Sequence, residues 1–566
     1  MRSLSLLLIL VLLPTFSTSA RSSKADSPAD EDDCSIDGTV LTLTGNSPLK
    51  NALLQLFSAN NNSEQEPVAV RTDSGGRFNF RGIRAGRYRL RVMRHGFVSR
   101  EYGQRKFSDP GAILTLSAGQ NMKDLIFRLV PSAVISGRIE NEDGEPLPWA
   151  SVGALRESYS QGKRTLLIEE TVLTNDHGEY RLFGLRPGRY FVAASYRAGG
   201  SQMRGDEEDN FGPGSTGGSD YVRTYYPGTL DPSKAQAITL KAGEEISSTD
   251  LLLEPVAVHS VRGRVINLMT TSSKQPRNEI YVQLRSRDVG LYSRAMSARE
   301  SGAKPDGKFE LANVAAGSYI LTAGFFEEGK VHQAHAEVEV GNADVEGVQL
   351  TIKPGVAVSG HLYWHGNPSV QSDRLLVMVH GGDEYSGPGS WGRVGPDGSF
   401  TLKEVGDGQQ RITVGGMADD CYLKAVTFGG MDVLEDGFVA RAGADASLDL
   451  TLSSRGAHVQ GAVADADGLP SVGVWVALVP DAMHHNRPQL YKSTQTDQHG
   501  QFFLRGIAPG DYTLFSWDEV ENGAWEDPDF LKPFAKKGEK VTVAEGESKS
   551  VNLTSIKTTG TEEQKP

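Results

Sequence analysis

Residues 175–192 read NDHGEYRLFGLRPGRYFV, and the same arrangement returns at residues 73–90 and 497–514. A turn glycine is followed two residues later by an aromatic residue and two further on by an apolar residue. This period-2 alternation is typical of a strand with one buried face. A second glycine lies ten residues after the first, and a tyrosine then begins another alternating strand. The arrangement predicts two β-strands joined by glycine turns.

Five copies of the arrangement follow one another along the chain. Each opens with an apolar-x-Gly triplet, whose glycines are Gly38, Gly137, Gly263, Gly360 and Gly461. The turn glycines are Gly76, Gly178, Gly307, Gly398 and Gly500, and the aromatic residues are Phe78, Tyr180, Phe309, Phe400 and Phe502. The triplets begin 99, 126, 97 and 101 residues apart, a spacing that suits small β-domains and is too long for a solenoid.

The combined pattern resembles the carboxypeptidase regulatory-like domain, a transthyretin-like β-sandwich of the carbohydrate-binding-like group. Copies 1, 2 and 5 match well, copy 3 moderately and copy 4 loosely, with Gln410 in place of the strand tyrosine. Residues 102–105 and 224–229 further resemble secreted multi-domain proteins of acidobacteria. The resemblance implies an all-β fold, a tandem array of about five transthyretin-like (prealbumin-like, Greek-key) sandwiches, and it leaves the activity open.

The repeats divide the chain into five predicted modules with short segments at either end. We predict a signal peptide at 1–20, an acidic linker at 21–33, module 1 at 34–131, module 2 at 132–257 with a long Gly/Ser/acidic loop, module 3 at 258–355, the divergent module 4 at 356–456, module 5 at 457–555 and a polar tail at 556–566. Each module has its own set of alternating strands, so separate cores are expected.

The N-terminus predicts export. Arg2 precedes an apolar run from Leu4 to Leu13, and small residues lead up to Ala20, where we expect cleavage. The run is too short to span a bilayer, and no later stretch is long and apolar enough to do so. We therefore expect a secreted protein, periplasmic or extracellular, whose mature chain has no integral membrane segment.

Charge and cysteine content exclude other classes. With 58 Lys and Arg against 71 Asp and Glu, the net charge of -13 argues against a nucleic-acid partner. The two cysteines, Cys34 and Cys421, cannot form a multi-bridge framework. A bridge between them is possible in an oxidising compartment, but two incidental thiols are the favoured interpretation.

Each candidate catalytic or metal-binding motif in the sequence lacks a required residue or structural context. The chain has no room for the large catalytic domain of a zinc carboxypeptidase, and His332 would point away from His335 on a strand, which favours surface histidines over a metal site. Ser390 lacks the glycine pattern of a nucleophile elbow. The Asp465 segment lacks the final glutamate of a calcium loop, which favours a β-turn. We expect no cofactor and no bound metal.

Related adhesin modules form Lys–Asn isopeptide bonds with the help of a buried acid about four residues after the strand tyrosine. The corresponding residues here are Val92, Ala194, Ala323, Val414 and Ser516. Since none of them is acidic, we do not expect this bond.

Aromatic residues near loops are the candidates for ligand binding. Tyr221, Tyr225 and Tyr226 follow the long insertion of module 2, and Trp391 and Trp525 lie in predicted loops. Exposed aromatic rings can stack on sugars. The alternative, that Tyr225 and Tyr226 begin a strand packed on its own sandwich, is favoured for those two residues.

The sequence therefore predicts a non-enzymatic, secreted, multi-domain binding or scaffold protein. One alternative is a carbohydrate-binding protein for polysaccharide capture, and a second is an unrecognised hydrolase-associated module. The sequence does not identify the partner, for which a glycan and a protein of the cell envelope are the two candidates.

Overall fold

The structure is a computed structural model. It describes residues 33–59, 66–107, 109–160, 162–196, 219–269, 280–287, 299–327, 330–367, 370–381, 389–406, 408–441 and 446–558. The predicted signal peptide and most of the long insertion of module 2 lie outside these residues.

The described residues are folded almost entirely as β-strands. Module 1 contains β1 Cys34–Thr42, β2 Leu53–Ser58, β3 Val68–Arg71, β4 Arg77–Ile83, β5 Gly86–Met93, β6 Arg100–Glu101, β7 Leu114–Leu116 and β8 Asn121–Leu129. Module 2 contains β9 Ala133–Glu140, β10 Ser151–Ser160, β11 Lys163–Leu173, β12 Glu179–Leu185, β13 Gly188–Ser195, β14 Ser219–Tyr221, β15 Thr224–Tyr225, β16 Ile238–Leu240, β17 Glu245–Ile246 and β18 Leu251–Leu252.

The remaining modules follow the same plan. Module 3 contains β19 Pro255–Asn267, β20 Tyr281–Ser286, β21 Arg299–Gly302, β22 Lys308–Ala315, β23 Gly317–Glu327, β24 Lys330–Val340 and β25 Val345–Ile352. Module 4 contains β26 Val356–His365, β27 Leu376–Gly381, β28 Trp391–Arg393, β29 Ser399–Val405, β30 Gln409–Gly415, β31 Tyr422–Phe428, β32 Met431–Asp432, β33 Phe438–Val439 and β34 Leu448–Ser453. Module 5 contains β35 Ala457–Ala464, β36 Trp475–Pro480, β37 Lys492–Gln495, β38 Gln501–Ile507, β39 Gly510–Trp517, β40 Glu539–Val543, β41 Ser548–Ser550 and β42 Leu553–Thr554.

Helical structure in the described residues is short. The α-helix α1 spans Pro528–Leu531, and 3-10 turns span Pro232–Lys234, Ser372–Arg374, Ala482–His484, Pro488–Leu490, Ala524–Glu526 and Lys532–Phe534. Among the described residues, no helix has the length and apolar character needed to span a membrane.

The five modules share one topology of two sheets. In the first sheet of module 1, β1 pairs antiparallel with β4 and parallel with β8, and the opening strands β9, β19, β26 and β35 have the same two kinds of neighbour. In the second sheet, β2 lies between β3 and β5, as β10, β20, β27 and β36 lie between their counterparts. The predicted all-β fold, a tandem array of transthyretin-like sandwiches, is confirmed.

The predicted alternation places the repeated aromatic residues in the cores. Phe78, Tyr180, Phe309, Phe400 and Phe502 are each 3% or 4% exposed. The main apolar cluster of each sandwich contains only residues of one module. The modules therefore have separate cores, although their surfaces touch, as described below.

The opening glycines are required because the parallel closing strand passes directly over them. A Cβ atom on Gly38, Gly137, Gly263, Gly360 or Gly461 would lie between 1.8 and 2.3 Å from a carbonyl oxygen of the closing segment. In modules 2 and 5 this oxygen belongs to Thr249 and Val551, which lie between two short closing strands. In modules 3 to 5 it would also approach the ring of the repeated phenylalanine. The apolar-x-Gly triplet thus reflects close backbone packing, which only glycine permits.

We expect Gly360→Ala to destabilise module 4 by about 1–3 kcal/mol, because the methyl group would overlap the Leu448 carbonyl and the Phe400 ring. Gly406→Ala is the matched control, since a Cβ there meets no atom within 4 Å. Differential scanning calorimetry of the full chain measures both. Equal melting of the two variants would show that the assigned approach of the strands is wrong.

The turn glycines also have a conformational role. Gly76, Gly178, Gly307, Gly398 and Gly500 have φ between 71° and 89°, and the carbonyl of each accepts a hydrogen bond from the opening strand. The second turn glycines Gly188 and Gly510 have φ of 139° and 156°. These angles also favour glycine, but they are more extended than the left-handed helical region.

Two features of the structure cross the predicted module boundaries. β19 runs continuously through the predicted boundary between modules 2 and 3, and β14 pairs with its first residues. Ile556, assigned to the polar tail, is 8% exposed and bridges to Trp517. Ile556 therefore packs with module 5, and the module boundaries stay predictions.

The two cysteines lie in separate places. Cys34 is buried in module 1, and its thiol donates to the Ser117 carbonyl at 3.0 Å. Cys421 is buried in module 4, with Sγ 3.6 Å from Asp420 Oδ1. No disulfide joins them in the structure.

Candidate binding surfaces

Tyr225 and Tyr226 belong to the packing of module 2. Tyr225 is 1% exposed and lies in β15 on a small apolar cluster with Phe191, and Tyr226 packs against the main core. The favoured alternative, a strand packed on its own sandwich, is confirmed for Tyr225. In this conformation the buried Tyr225 ring presents no face to a sugar.

Tyr221 is engaged in contacts within its own module. Its hydroxyl donates to Glu142 Oε2 at 2.8 Å, and its ring meets Tyr196 edge to face at 5.6 Å. Burial, followed by the bond to Glu142, raises the pKa of Tyr221 to about 12. A role in ligand binding stays a prediction for Tyr221 and Tyr226.

Trp525 is buried, contrary to its predicted position in an exposed polar loop. It is 2% exposed, because the 3-10 turn Ala524–Glu526 folds onto the outer face of the second sheet of module 5. Its ring lies 5.1 Å from Trp475 and 6.4 Å from Trp517. Trp525 therefore stabilises a second apolar cluster and offers no face to a ligand.

Trp391 is exposed. It begins the edge strand β28 opposite Met378, and 58% of its surface is accessible. Exposure alone does not define a site, so Trp391 stays a prediction.

The residues weighed for catalysis have structural roles. His332 is 7% exposed and stacks on Phe325 at 5.0 Å, so its prediction as a surface histidine is wrong, whereas His335 is exposed. Ser390 Oγ donates to the Lys403 carbonyl. Asp465 Oδ1 accepts from two backbone amides of its turn, as the β-turn interpretation predicted. Among the residues that the structure describes, no group of three or more His, Cys, Asp or Glu could hold a metal ion.

A further tryptophan, Trp149, was missed as a candidate by the sequence analysis. Its side chain is 63% exposed, and its backbone has φ of 65°. A bulky residue at positive φ costs about 1–3 kcal/mol, and such strain is concentrated at functional sites. Module 2 therefore exposes an indole at a conformational cost.

Trp149 of module 2 has structurally equivalent residues in modules 1 and 5. Its backbone amide donates to the Thr174 carbonyl at 3.2 Å, as Asn51 does to Thr72 and Gly473 does to Thr496. Asn51 and Gly473 have φ of 60° and 68°. Asparagine and glycine tolerate this conformation, whereas tryptophan rarely adopts it. The alignment of these three residues was the signal in the sequence.

An open groove of about 640 Å³, the Trp149 groove, lies beside the indole. It is lined by Trp149, Leu173, Asn175, Asp176, Glu179 and Arg181, among others. Its volume falls within the roughly 300–1,000 Å³ of small-ligand sites.

The polar side chains at the groove form hydrogen bonds and ion pairs with one another and with their neighbours. Asn175 Nδ2 donates to Glu179 Oε2 at 2.9 Å, and Arg138 Nη2 lies 3.5 Å from Glu179 Oε1. The Asn175 hydrogen bond, followed by the Arg138 guanidinium, holds the pKa of Glu179 below its usual value. Arg181 Nε pairs with Glu245 Oε1 at 3.4 Å. The rim therefore offers both hydrogen-bond donors and acceptors, and it includes the exposed Asp176 carboxylate, 3.0 Å from His177 Nδ1.

A second concave surface, of about 630 Å³, lies between modules 1 and 2. Leu53, Met93 and Phe97 give it apolar lining, and Arg71 and Arg94 give it positive charge.

Module 1 contacts module 5 through the loop of residues 101–111, of which the structure describes all but residue 108. Within the loop, the Glu101 carboxylate accepts from Arg91 and from the Gly111 amide at 2.7 Å each, and the Gln104 side chain donates to the Asp109 carbonyl at 2.6 Å. These buried hydrogen bonds give the loop a defined shape.

The loop lies against module 5 over several points. Arg105 Nε donates to the Val472 carbonyl at 2.8 Å, and Lys106 Nζ lies 3.2 Å from Glu521 Oε1. In the opposite direction, Gln495 Nε2 donates to the Pro110 carbonyl at 2.8 Å. A Cβ on Gly473 would lie 1.9 Å from the Gly103 carbonyl oxygen, so the two backbones meet closely.

Modules 2 and 4 also contact module 5. Tyr159 of the β10–β11 hairpin meets Phe530 edge to face at 6.1 Å. Glu545 of module 5 accepts hydrogen bonds from three residues of module 4. These are Ser453 at 2.7 Å, Tyr422 at 2.9 Å and Lys424 at 3.1 Å. These hydrogen bonds, of which the one from Ser453 has the largest effect, lower the pKa of Glu545 to about 2. Module 5 thus touches three other modules.

Comparison with known families agrees with the fold. Residues 35–130 and 134–209 each match the model of the carboxypeptidase regulatory-like domain. Both matches fall within modules 1 and 2, and the predicted resemblance is confirmed there. Modules 3 to 5 share their strand topology and their glycine positions. The resemblance to acidobacterial proteins stays a prediction.

Several solved structures are similar to the chain at low identity. The minor pilin GBS52 of Streptococcus agalactiae is 12% identical, with a TM-score of 0.22 over 40% of this chain and 96% of its own. The major pilin subunit BcpA of Bacillus cereus is 10% identical, with a TM-score of 0.13 over 57% of this chain and 100% of its own. No curated protein sequence matches the chain.

Proposed function

We propose that the protein is a secreted, non-enzymatic scaffold whose β-sandwich modules are held in fixed relative positions by module 5, so that a binding surface is presented in one geometry. The loop of residues 101–111 against module 5 carries this proposal, because it joins segments that lie more than 350 residues apart. A string of independent modules would not need such a contact.

The chemistry of the contact supports a lasting association. The Lys106 and Glu521 side chains are 16% and 23% exposed, so their ion pair is shielded more than a surface pair. The loop carries its own buried hydrogen bonds, so little ordering is required when it docks. Apolar rings, Tyr159 and Phe530, add a second point of attachment on module 2.

Small-angle X-ray scattering of the full chain tests the fixed arrangement. Lys106→Glu and Glu521→Lys should each increase the radius of gyration, and the double variant should restore it. Lys532→Glu is the control, because its partner Asp529 lies in the same module and both side chains are more than 70% exposed. Scattering of the wild type as a flexible string would contradict the proposal.

The export part of the proposal has a separate test. Expression with the native N-terminus in a bacterial host, followed by intact-mass analysis of the exported protein, should give a chain that begins at Arg21. Retention of the full-length mass in the cytoplasm would refute secretion.

A second candidate function is polysaccharide capture. The exposed indole of Trp149, beside a groove with hydrogen-bonding side chains, favours it. Rigid sandwiches would then act as the support for this site.

A further inference from the structure

We infer that the Trp149 groove binds a neutral sugar residue of a polysaccharide, with the pyranose ring stacked on the indole. This inference deepens the proposed function and rests on it in one respect, namely that the protein acts by binding. Nothing in the fixed arrangement of the modules depends on it.

The first argument is that the fold does not use the Trp149 side chain. The ring is 63% exposed, so it contributes little to a core, and its backbone conformation is one that asparagine and glycine adopt in the sister modules. A residue that is strained and exposed at once is explained by a ligand that covers it.

The second argument comes from module 5. There the equivalent residue, Gly473, allows the Gly103 backbone to approach so closely that a Cβ would lie 1.9 Å from its carbonyl oxygen. Trp149 blocks an approach of that kind in module 2 and offers an aromatic face instead. The surface therefore suits a flat ligand that stacks and not a docking loop.

The third argument identifies the class of ligand. The face of an aromatic ring carries partial negative charge and attracts the polarised C–H groups on one face of a pyranose. Asn175, Glu179 and Arg181 supply donors and acceptors for hydroxyl groups at the edge of such a ring. Glu179 accepts a hydrogen bond from Asn175 and lies 3.5 Å from Arg138, and the exposed Asp176 carboxylate adds a further acceptor for a hydroxyl group.

A cation would need a different site. Recognition of quaternary ammonium groups uses several exposed rings around the charge. The other aromatic residue that lines the Trp149 groove, Tyr180, is 4% exposed and donates its hydroxyl to the Thr249 carbonyl. One accessible indole beside several hydrogen-bonding side chains is therefore the arrangement expected for a sugar.

The test is binding of the full chain to an array of neutral oligosaccharides, followed by calorimetric titration of the best-bound member. Trp149→Asn should weaken binding at least tenfold. It should leave the melting temperature of module 2 equal or higher, because module 1 has asparagine at this position. Phe326→Ala, which removes a 63% exposed aromatic ring from module 3, is the matched control and should bind as the wild type does.

Three results would overturn the inference. One is that the wild type binds no neutral oligosaccharide; another is that Trp149→Asn binds as tightly as the wild type. The third is that tetramethylammonium competes for the site, which would assign the groove to a cation. None of these affects the scattering experiment on Lys106 and Glu521, so failure of the sugar site and failure of the scaffold are distinguishable.

Discussion

Trp517→Ala is expected to destabilise module 5 by about 3–5 kcal/mol. The Trp517 ring is completely buried, stacks on Phe515 at 5.3 Å and lies 5.8 Å from Phe530. Its removal would leave a large cavity in the cluster on the outer face of the second sheet. Calorimetric unfolding of the full chain should show one transition moved to lower temperature.

Two variants serve as controls for Trp517→Ala. Trp517→Phe should cost less, because it keeps an aromatic ring and the indole N–H makes no hydrogen bond within the described residues. Trp391→Ala should have almost no effect on stability, since Trp391 is 58% exposed. An unchanged melting profile of Trp517→Ala would show that the outer cluster does not form.

Tyr190→Ala should cost module 2 about 3–5 kcal/mol. The Tyr190 side chain is completely buried, and its hydroxyl accepts from the Arg186 amide at 3.1 Å across the second glycine turn. The Arg156 guanidinium lies 5.4 Å from the ring centre. Burial raises the pKa of Tyr190 to about 12, so the hydroxyl stays protonated at neutral pH. Chemical or thermal denaturation of the full chain, monitored for module 2, measures the loss.

The hydroxyl and the ring of Tyr190 can be separated. Tyr190→Phe should cost only about 1 kcal/mol, which is the typical contribution of one hydrogen bond. Tyr88→Ala, at the equivalent position in module 1, should cost less than Tyr190→Ala because Tyr88 is only partly buried. Equal losses in the two modules would contradict the burial described here.

The elements that the sequence predicted are those set by local chemistry. Glycines at φ near 70°, such as Gly178, and period-2 alternation, as around Phe502, depend only on neighbours in the chain. The same local rules explain why the repeat could be aligned in five copies. The opening glycines were visible as a pattern, but their reason, the parallel strand above them, is a long-range contact.

The candidate site was predicted less well, because exposure depends on distant segments. Trp525 was placed in a loop, yet the strand β36 is buried along its whole length, on both faces. A continuous apolar strand of that kind needs a cover on each side, and Trp525 belongs to the cover. Trp149 was overlooked because composition gives no hint of a positive φ.

The contacts of module 5 could not be derived from the sequence. Residues 102–105 were recognised as a segment of interest, but their neighbours Val472 and Glu521 are hundreds of residues away. Complementarity between surfaces of this kind has no periodic signature. The structure adds contacts between module surfaces to the separate cores that the sequence predicted.

Zero-length carbodiimide cross-linking of the native monomer, read by mass spectrometry, tests the fixed arrangement most directly. This reagent joins a lysine amine to a carboxylate in contact with it. Lys106 and Glu521 are 3.2 Å apart, and Lys424 and Glu545, which connect modules 4 and 5, are 3.1 Å apart. We predict that both cross-linked peptides are recovered from the monomer. Recovery of the Lys424–Glu545 peptide without the Lys106–Glu521 peptide would contradict the account.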